Sequence, residues 1–148
     1  MHTAKEILVD FMAYKIICTE NENHTKQVRG DYISSWRQND PYFLNKKDNI
    51  CFSNIRSVRD IAFMKYEILK ETIYSNHYDG IVFIDLSYIT EIHDMKVVSS
   101  LINYISEESR YADFFITVTK SINRNADEIA RSLEAMFNRQ DQIIGGIR

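Results

Sequence analysis

The second half of the chain carries a regular beat of apolar and polar positions, and the first half does not. Ile50–Ser53 is a short apolar run of strand type. Ser57–Tyr74 follows with Val58, Ile61, Ala62, Leu69 and Ile73 on one stripe, the spacing of an amphipathic helix. Tyr78-Asp79-Gly80 is turn chemistry, and Ile81–Leu86 is almost continuously apolar, which predicts a strand buried on both faces. Asp94 is placed to cap a helix from Met95 to about Ser106, striped by Val97, Val98, Leu101, Ile102 and Ile105. Asp113–Thr119 predicts a second buried strand. Asn125 with Glu128 opens a helix through Phe137, and residues 139–148, with their glycine pair, read as a flexible tail.

Earlier in the chain, Ala4, Ile7, Leu8, Phe11, Met12 and Ile16 fall at helical spacing, so residues 3–17 read as a helix, with Thr3 and Glu6 as a capping box. Residues 19–49 are polar and without a clean period. They read as an irregular segment holding one or two short strands such as Asp31–Trp36. Strand and helix alternating from residue 50 onward imply βαβ units. The expected fold is a single α/β domain with a small mixed or mostly parallel sheet, helices packed on it, and an additional N-terminal helix.

Length supports one domain: 148 residues are enough for a real core and leave little room for a second unit. The net charge of −3, from 18 basic and 21 acidic residues, does not point to nucleic acid or an anionic membrane. No basic stretch, apolar run and cleavage site resembling a signal peptide opens the chain. Its apolar runs stop far short of the roughly 20 residues of a membrane helix. A cytoplasmic location is expected, with the two cysteines, Cys18 and Cys51, as reduced thiols. The four glycines (Gly30, Gly80, Gly145, Gly146) are not clustered as a phosphate-cradling loop needs, which excludes a standard P-loop or dinucleotide fingerprint. No histidine shares ligand spacing with another His or Cys, so neither a metal nor a cofactor is expected.

Two stretches carry candidate chemistry. Asp85 ends the apolar strand IVFID, where α/β proteins place ligands and nucleotide hydrolases hold Mg²⁺ through water. Thr119 and Lys120 end the next strand. One reading is therefore a degenerate P-loop-type nucleotide-binding protein, with Asp85, Thr119 and Lys120 around the nucleotide.

The other reading starts from IVFIDLSYITEIHDMKVVSSLINYI, residues 81–105. Asp85-Leu86-Ser87, then Ile89-Thr90 and Ile92, then an amphipathic helix resemble the core of STAS domains, the family of sulfate-transporter tails and anti-sigma-factor antagonists, over about residues 50–138. The resemblance implies a STAS-like architecture and a non-catalytic regulatory module acting by protein–protein interaction. The family's phosphorylatable Ser or Thr aligns with Asp94, so a phospho-switch is not carried over. The partner-binding surface expected is His93, Asp94, Met95 and Tyr88, joined by the aromatic residues Trp36 and Tyr42, since Trp and Tyr are strong interface anchors. The partner is another protein, and a homodimer is compatible with the pattern.

Overall fold

Strand propensity accounts for the first described element. Residues 14–19, YKIICT, carry β-branched Ile16-Ile17 and alternate their side chains between two apolar surroundings. The computed structural model describes residues 14–39, 50–72, 80–89, 95–108 and 112–146. Within them the elements run β1 (Tyr14–Thr19), α1 (Glu22–Asn39), β2 (Ile50–Asn54), α2 (Val58–Thr72), β3 (Gly80–Asp85), α3 (Met95–Glu108), β4 (Ala112–Thr119) and α4 (Ala126–Gly146). The strands form one sheet in the order β1-β4-β3-β2, and every pairing is parallel.

The order explains the layers. The connection from β1 to β2 crosses the sheet in one direction, and those from β2 to β3 to β4 step back in the other. With crossovers of one hand, the two directions put their helices on opposite faces. Ile61, Met64, Leu101, Ile105, Leu133 and Phe137 of α2, α3 and α4 pack on Val82, Ile84, Phe114, Ile116 and Val118 and make the main core. On the opposite face α1 lays Val28, Tyr32, Ile33 and Trp36 over Ile17, Ile81, Phe83 and Phe115. Tyr32 meets Phe115 with ring centroids 4.8 Å apart, and Phe83 is packed edge-on to Phe115 at 5.4 Å.

The α/β class and the order of strands and helices from residue 50 onward are as the pattern predicts, with bounds within two residues except at the end of α4. The stripe expected on α2 is not its buried face: Val58, Ala62 and Leu69 are exposed, Ile73 lies outside the described residues, and Ile61, Met64 and Ile68 face the core. Three further expectations are corrected. The helix expected over residues 3–17 ends in a strand instead, because Tyr14, Ile16 and Cys18 face the main core while Ile17 and Thr19 face α1. Its residues 3–13 lie outside the described chain. The segment expected to be irregular contains α1, an 18-residue helix, in place of a short strand at Asp31–Trp36. Asn21 caps it: its Oδ1 accepts the His24 N–H at 2.9 Å, and His24 Nδ1 accepts the Glu20 N–H at 3.0 Å. The expected tail continues α4 to Gly146, so the Gly145-Gly146 pair sits at the helix end, where glycine terminates helices. Among the described residues no helix is long and apolar enough to cross a membrane.

Candidate functional site

In an open parallel sheet the strands' carboxyl ends gather backbone and loop groups at one edge. A crevice opens where neighbouring strands send their chains to opposite faces. Here that place lies between β1, which leads to α1, and β4, which leads to α4 on the other face. The register makes the face under α1 turn polar as it approaches this edge. Asn54 pairs with Asp85 and Asp85 with Thr117, forming a row across three strands, and Thr19 pairs with Thr119 one step further on.

The polar groups are tied together. The hydroxyls of Thr19, Thr25 and Thr119 contact one another, with Thr25 to Thr119 at 2.9 Å and Thr19 to Thr119 at 3.1 Å. Thr25 Oγ1 also donates to the Asn21 carbonyl at 3.1 Å. Three hydroxyls have three protons, and this bond uses one. The cluster therefore keeps acceptor capacity for an incoming donor. Beyond it, Ser87 Oγ accepts the Thr119 N–H at 2.8 Å and donates its own proton to Asp85 Oδ1. The Ser87 N–H donates to the same oxygen at 2.8 Å. Asn123 Nδ2 donates to the carbonyls of Ser87 and Ile89 at 3.0 and 2.9 Å, pinning the turn after β3 to the turn after β4.

The helix supplies the other wall. Glu22, Thr25, Lys26 and Arg29 of α1, with Asn54, Asp85, Tyr88, Thr119 and Ile122, line a cavity of about 270 Å³. Its charged lining is two cations, Lys26 and Arg29, and two anions, Glu22 and Asp85. Arg29 Nη2 donates to Thr117 Oγ1 at 3.0 Å, and its Cζ lies 5.8 Å from the ring centroids of both Phe52 and Phe83. Its Nε is buried with no hydrogen-bond partner. Burial pulls the guanidinium pKa down from its usual value, and the charge of Asp85 acts in the opposite direction.

Of the residues expected around a nucleotide, Asp85 and Thr119 line this cavity. Lys120 does not: its ammonium bridges Glu20 at 3.0 Å and Asp127 at 3.6 Å, joining the turns after β1 and β4. Of the expected partner surface, Tyr88 stands at the cavity wall with the Arg56 guanidinium 4.7 Å over its ring. Trp36 is elsewhere, in the apolar layer beneath α1, about 15 Å along the helix axis from Lys26. Met95 begins α3. His93, Asp94 and Tyr42 lie outside the described residues.

Arg29, Lys26, Thr25, Glu22 and Asn54 were not expected at a site. For the α1 residues the signal is the polar run beginning at Glu20, three residues after β-branched Ile16-Ile17, a strand end followed by a cap; Asn54 is marked only by its place at the end of the apolar run from Ile50. A helix assigned over 3–17 hides that signal. Among the described residues no group of three or more His, Cys, Asp or Glu side chains is placed to hold a metal ion. No family model, no curated protein and no solved structure matches this chain.

Proposed function

We propose that this protein is a small-ligand-binding α/β domain whose site is the crevice between α1 and the carboxyl ends of β2, β3 and β4. The observation that carries it is the convergence of Arg29, Asp85, Thr25 and Thr119 on one cavity at the carboxyl ends of the parallel strands, beside the topological switch point. The same side chains on a surface would be ordinary polarity. Placed where the sheet is otherwise apolar, they make a recognition site. The parallel pairing of β2, β3 and β4 supports nucleotides as the first ligands to try, with Asp85 and Thr119 in the crevice. Lys120, committed to Glu20 and Asp127, has no part in it.

The test is a thermal-shift screen of nucleotides with and without Mg²⁺, alongside neutral and cationic small metabolites, followed by amide NMR mapping of every hit. A ligand at 100 times its dissociation constant adds about 2.7 kcal/mol, which raises the midpoint by roughly 5–10 °C for a chain this size. Hits that move the amides of Thr25, Arg29, Asp85 and Thr119 support the reading. A screen that moves none of them overturns it.

A second reading, a regulatory module of STAS-like architecture that docks another protein, is favoured by a different observation. Phe63, Tyr66 and Leu69 on α2 are 64%, 57% and 61% exposed, more apolar surface than one solvated helix face needs. On this reading Phe63 and Tyr66 replace Trp36 as the aromatic anchors of such a surface. Phe63→Glu and Tyr66→Glu abolishing capture of a partner, with an unchanged thermal midpoint, is the outcome this reading expects.

A further inference from the structure

Resting on the ligand-binding reading, we infer that the crevice takes a compact phosphomonoester bearing a hydroxyl group. Its phosphate sits on Arg29 and Lys26, and its hydroxyl on Asp85. Two charges of opposite sign are held here side by side without neutralising each other. Arg29 is tethered to Thr117 through Nη2, and Asp85 is tethered to Ser87 through Oδ1. Thr117 and Asp85 are register partners on adjacent strands, so the tethers start from neighbouring positions. Among the described residues no ion pair joins Arg29 to Asp85, although both line the cavity.

The unused capacity on each side defines the complement. A guanidinium has five N–H donors; Nη2 gives one to Thr117, and the Nε–H is buried with no acceptor among the described residues, a cost of placing the guanidinium here. The other Nη donors have no hydrogen-bond partner among the described residues and are the ones a ligand in the cavity can meet. Lys26 stands three residues before Arg29 on α1 and lines the same cavity, so two cations share the α1 wall; Glu22, the anion of that wall, stands about 10 Å along the helix axis from Arg29. A phosphate seated between Arg29 and Lys26, away from Glu22, meets two positive charges, which match the −1.5 to −2 of a phosphomonoester near pH 7 better than the single charge of a carboxylate. Across the cavity Asp85 Oδ2 has no partner among the described residues, and an ionised carboxylate only accepts hydrogen bonds. The threonine cluster also keeps acceptor capacity. That wall selects a donor, and a sugar hydroxyl beside a phosphate supplies one. The volume, about 270 Å³, suits a sugar phosphate or the phosphoribosyl part of a nucleotide.

The experiment is calorimetric titration of the full chain with ribose 5-phosphate, inorganic phosphate and ribose, repeated on Arg29→Met, Lys26→Gln and Asp85→Asn, with amide mapping of each bound ligand. Expected results are binding of ribose 5-phosphate, weaker binding of inorganic phosphate, and none of ribose. Arg29→Met should weaken ribose 5-phosphate by about 30-fold or more, the loss of a charge-assisted contact. Asp85→Asn should weaken ribose 5-phosphate while leaving inorganic phosphate unchanged or tighter. Lys26 is exposed, so Lys26→Gln leaves packing alone and should still cost several-fold in both phosphates.

Phosphate binding that ignores both Arg29→Met and Lys26→Gln overturns this assignment. So does a crevice occupied, by amide mapping, only by neutral or cationic compounds; in either case the site itself stands. Absence of any crevice ligand, phosphorylated or not, overturns both.

Discussion

Ser87→Ala removes one oxygen and should be among the more damaging small substitutions in the chain. Ser87 is 2% exposed, and its hydroxyl stands between Thr119, which is 1% exposed, and Asp85. β3 ends at Asp85, so no strand lies beside the Thr119 amide on that side, and the serine hydroxyl takes the place of a ladder acceptor. Deleting it leaves a buried N–H without a partner, at about 1–3 kcal/mol. It also removes a hydroxyl–carboxylate bond of about 1.5–3 kcal/mol, part of which the Ser87 amide retains by staying on Oδ1. A total of about 3 kcal/mol is a large share of the 5–15 kcal/mol of an ordinary domain, and should lower the thermal midpoint by roughly 6–12 °C. The assay is urea denaturation followed by the fluorescence of Trp36, the chain's single tryptophan, which lies in the layer under α1. A companion Asp85→Asn variant keeps an acceptor for Ser87 and should lose much less. A loss below about 0.5 kcal/mol for Ser87→Ala, the range of ordinary surface changes, would refute the hydroxyl's role in joining β4 to Asp85.

Gly30 lies inside α1 facing open space, with nothing within 4 Å of where a Cβ would stand, so Gly30→Ala should stabilise the fold by about 0.5–1 kcal/mol, read from the same denaturation curves. The Tyr32 phenol is pushed up to about 12, first by burial and then by the charge and hydrogen bond of Asp113. Its folded pKa exceeds its unfolded value near 10, so its contribution is complete below pH 10 and is lost as pH rises toward 12. The stability gap between the native chain and Tyr32→Phe should therefore narrow across that window, and a constant gap would contradict the assignment. The Cys18 thiol is raised to about 11, chiefly by burial and further by Asp127. Alkylation at pH 8, followed by peptide mass spectrometry, should be slower at Cys18 than in an unstructured peptide by on the order of a hundredfold, since only the thiolate reacts.

What was legible in the sequence follows from how each element is buried. β3 and β4 have helices or rings on both faces, so Ile81–Ile84 and Phe114–Ile116 read as unbroken apolar runs with one solution. α2 and α3 lie against one face; the stripe of α3 reads directly, while on α2 the exposed Val58, Ala62 and Leu69 blur it and Ile61, Met64 and Ile68 carry the burial. β1 and α1 lack such clarity for opposite reasons. β1 is an edge strand of six residues, and Ile16 also falls on the helical spacing of Phe11 and Met12, so a helix absorbs it. α1 turns only four apolar side chains, Val28, Tyr32, Ile33 and Trp36, to the sheet within 18 mostly polar residues interrupted by Gly30, which lowers its apolar signal to that of a loop. The site inherits the same division. Asp85 and Thr119 end legible strands and were found. Arg29, Lys26 and Thr25 belong to a helix that local pattern does not reveal, packed through the sheet against strands far away in sequence.

That division bears on what the polar edge is for. The face under α1 begins with Ile81, Phe83, Phe115 and Ile17 and changes within one register step to Asp85, Thr117, Thr119 and Thr19. Nothing in sheet geometry demands the change. Valine or isoleucine at Thr117, with methionine at Arg29, would continue the apolar layer and remove an orphaned guanidinium N–H. Replacing both members of a buried polar pair by apolar groups of similar shape is often neutral or favourable. Lining this edge with a tethered cation, a tethered carboxylate and a hydroxyl cluster thus costs stability that packing alone does not return. Of the two proposed functions, only ligand binding gives that cost a purpose at this particular edge. The exposed Phe63 and Tyr66 belong to α2, on the opposite face of the sheet, and require no change in the layer under α1.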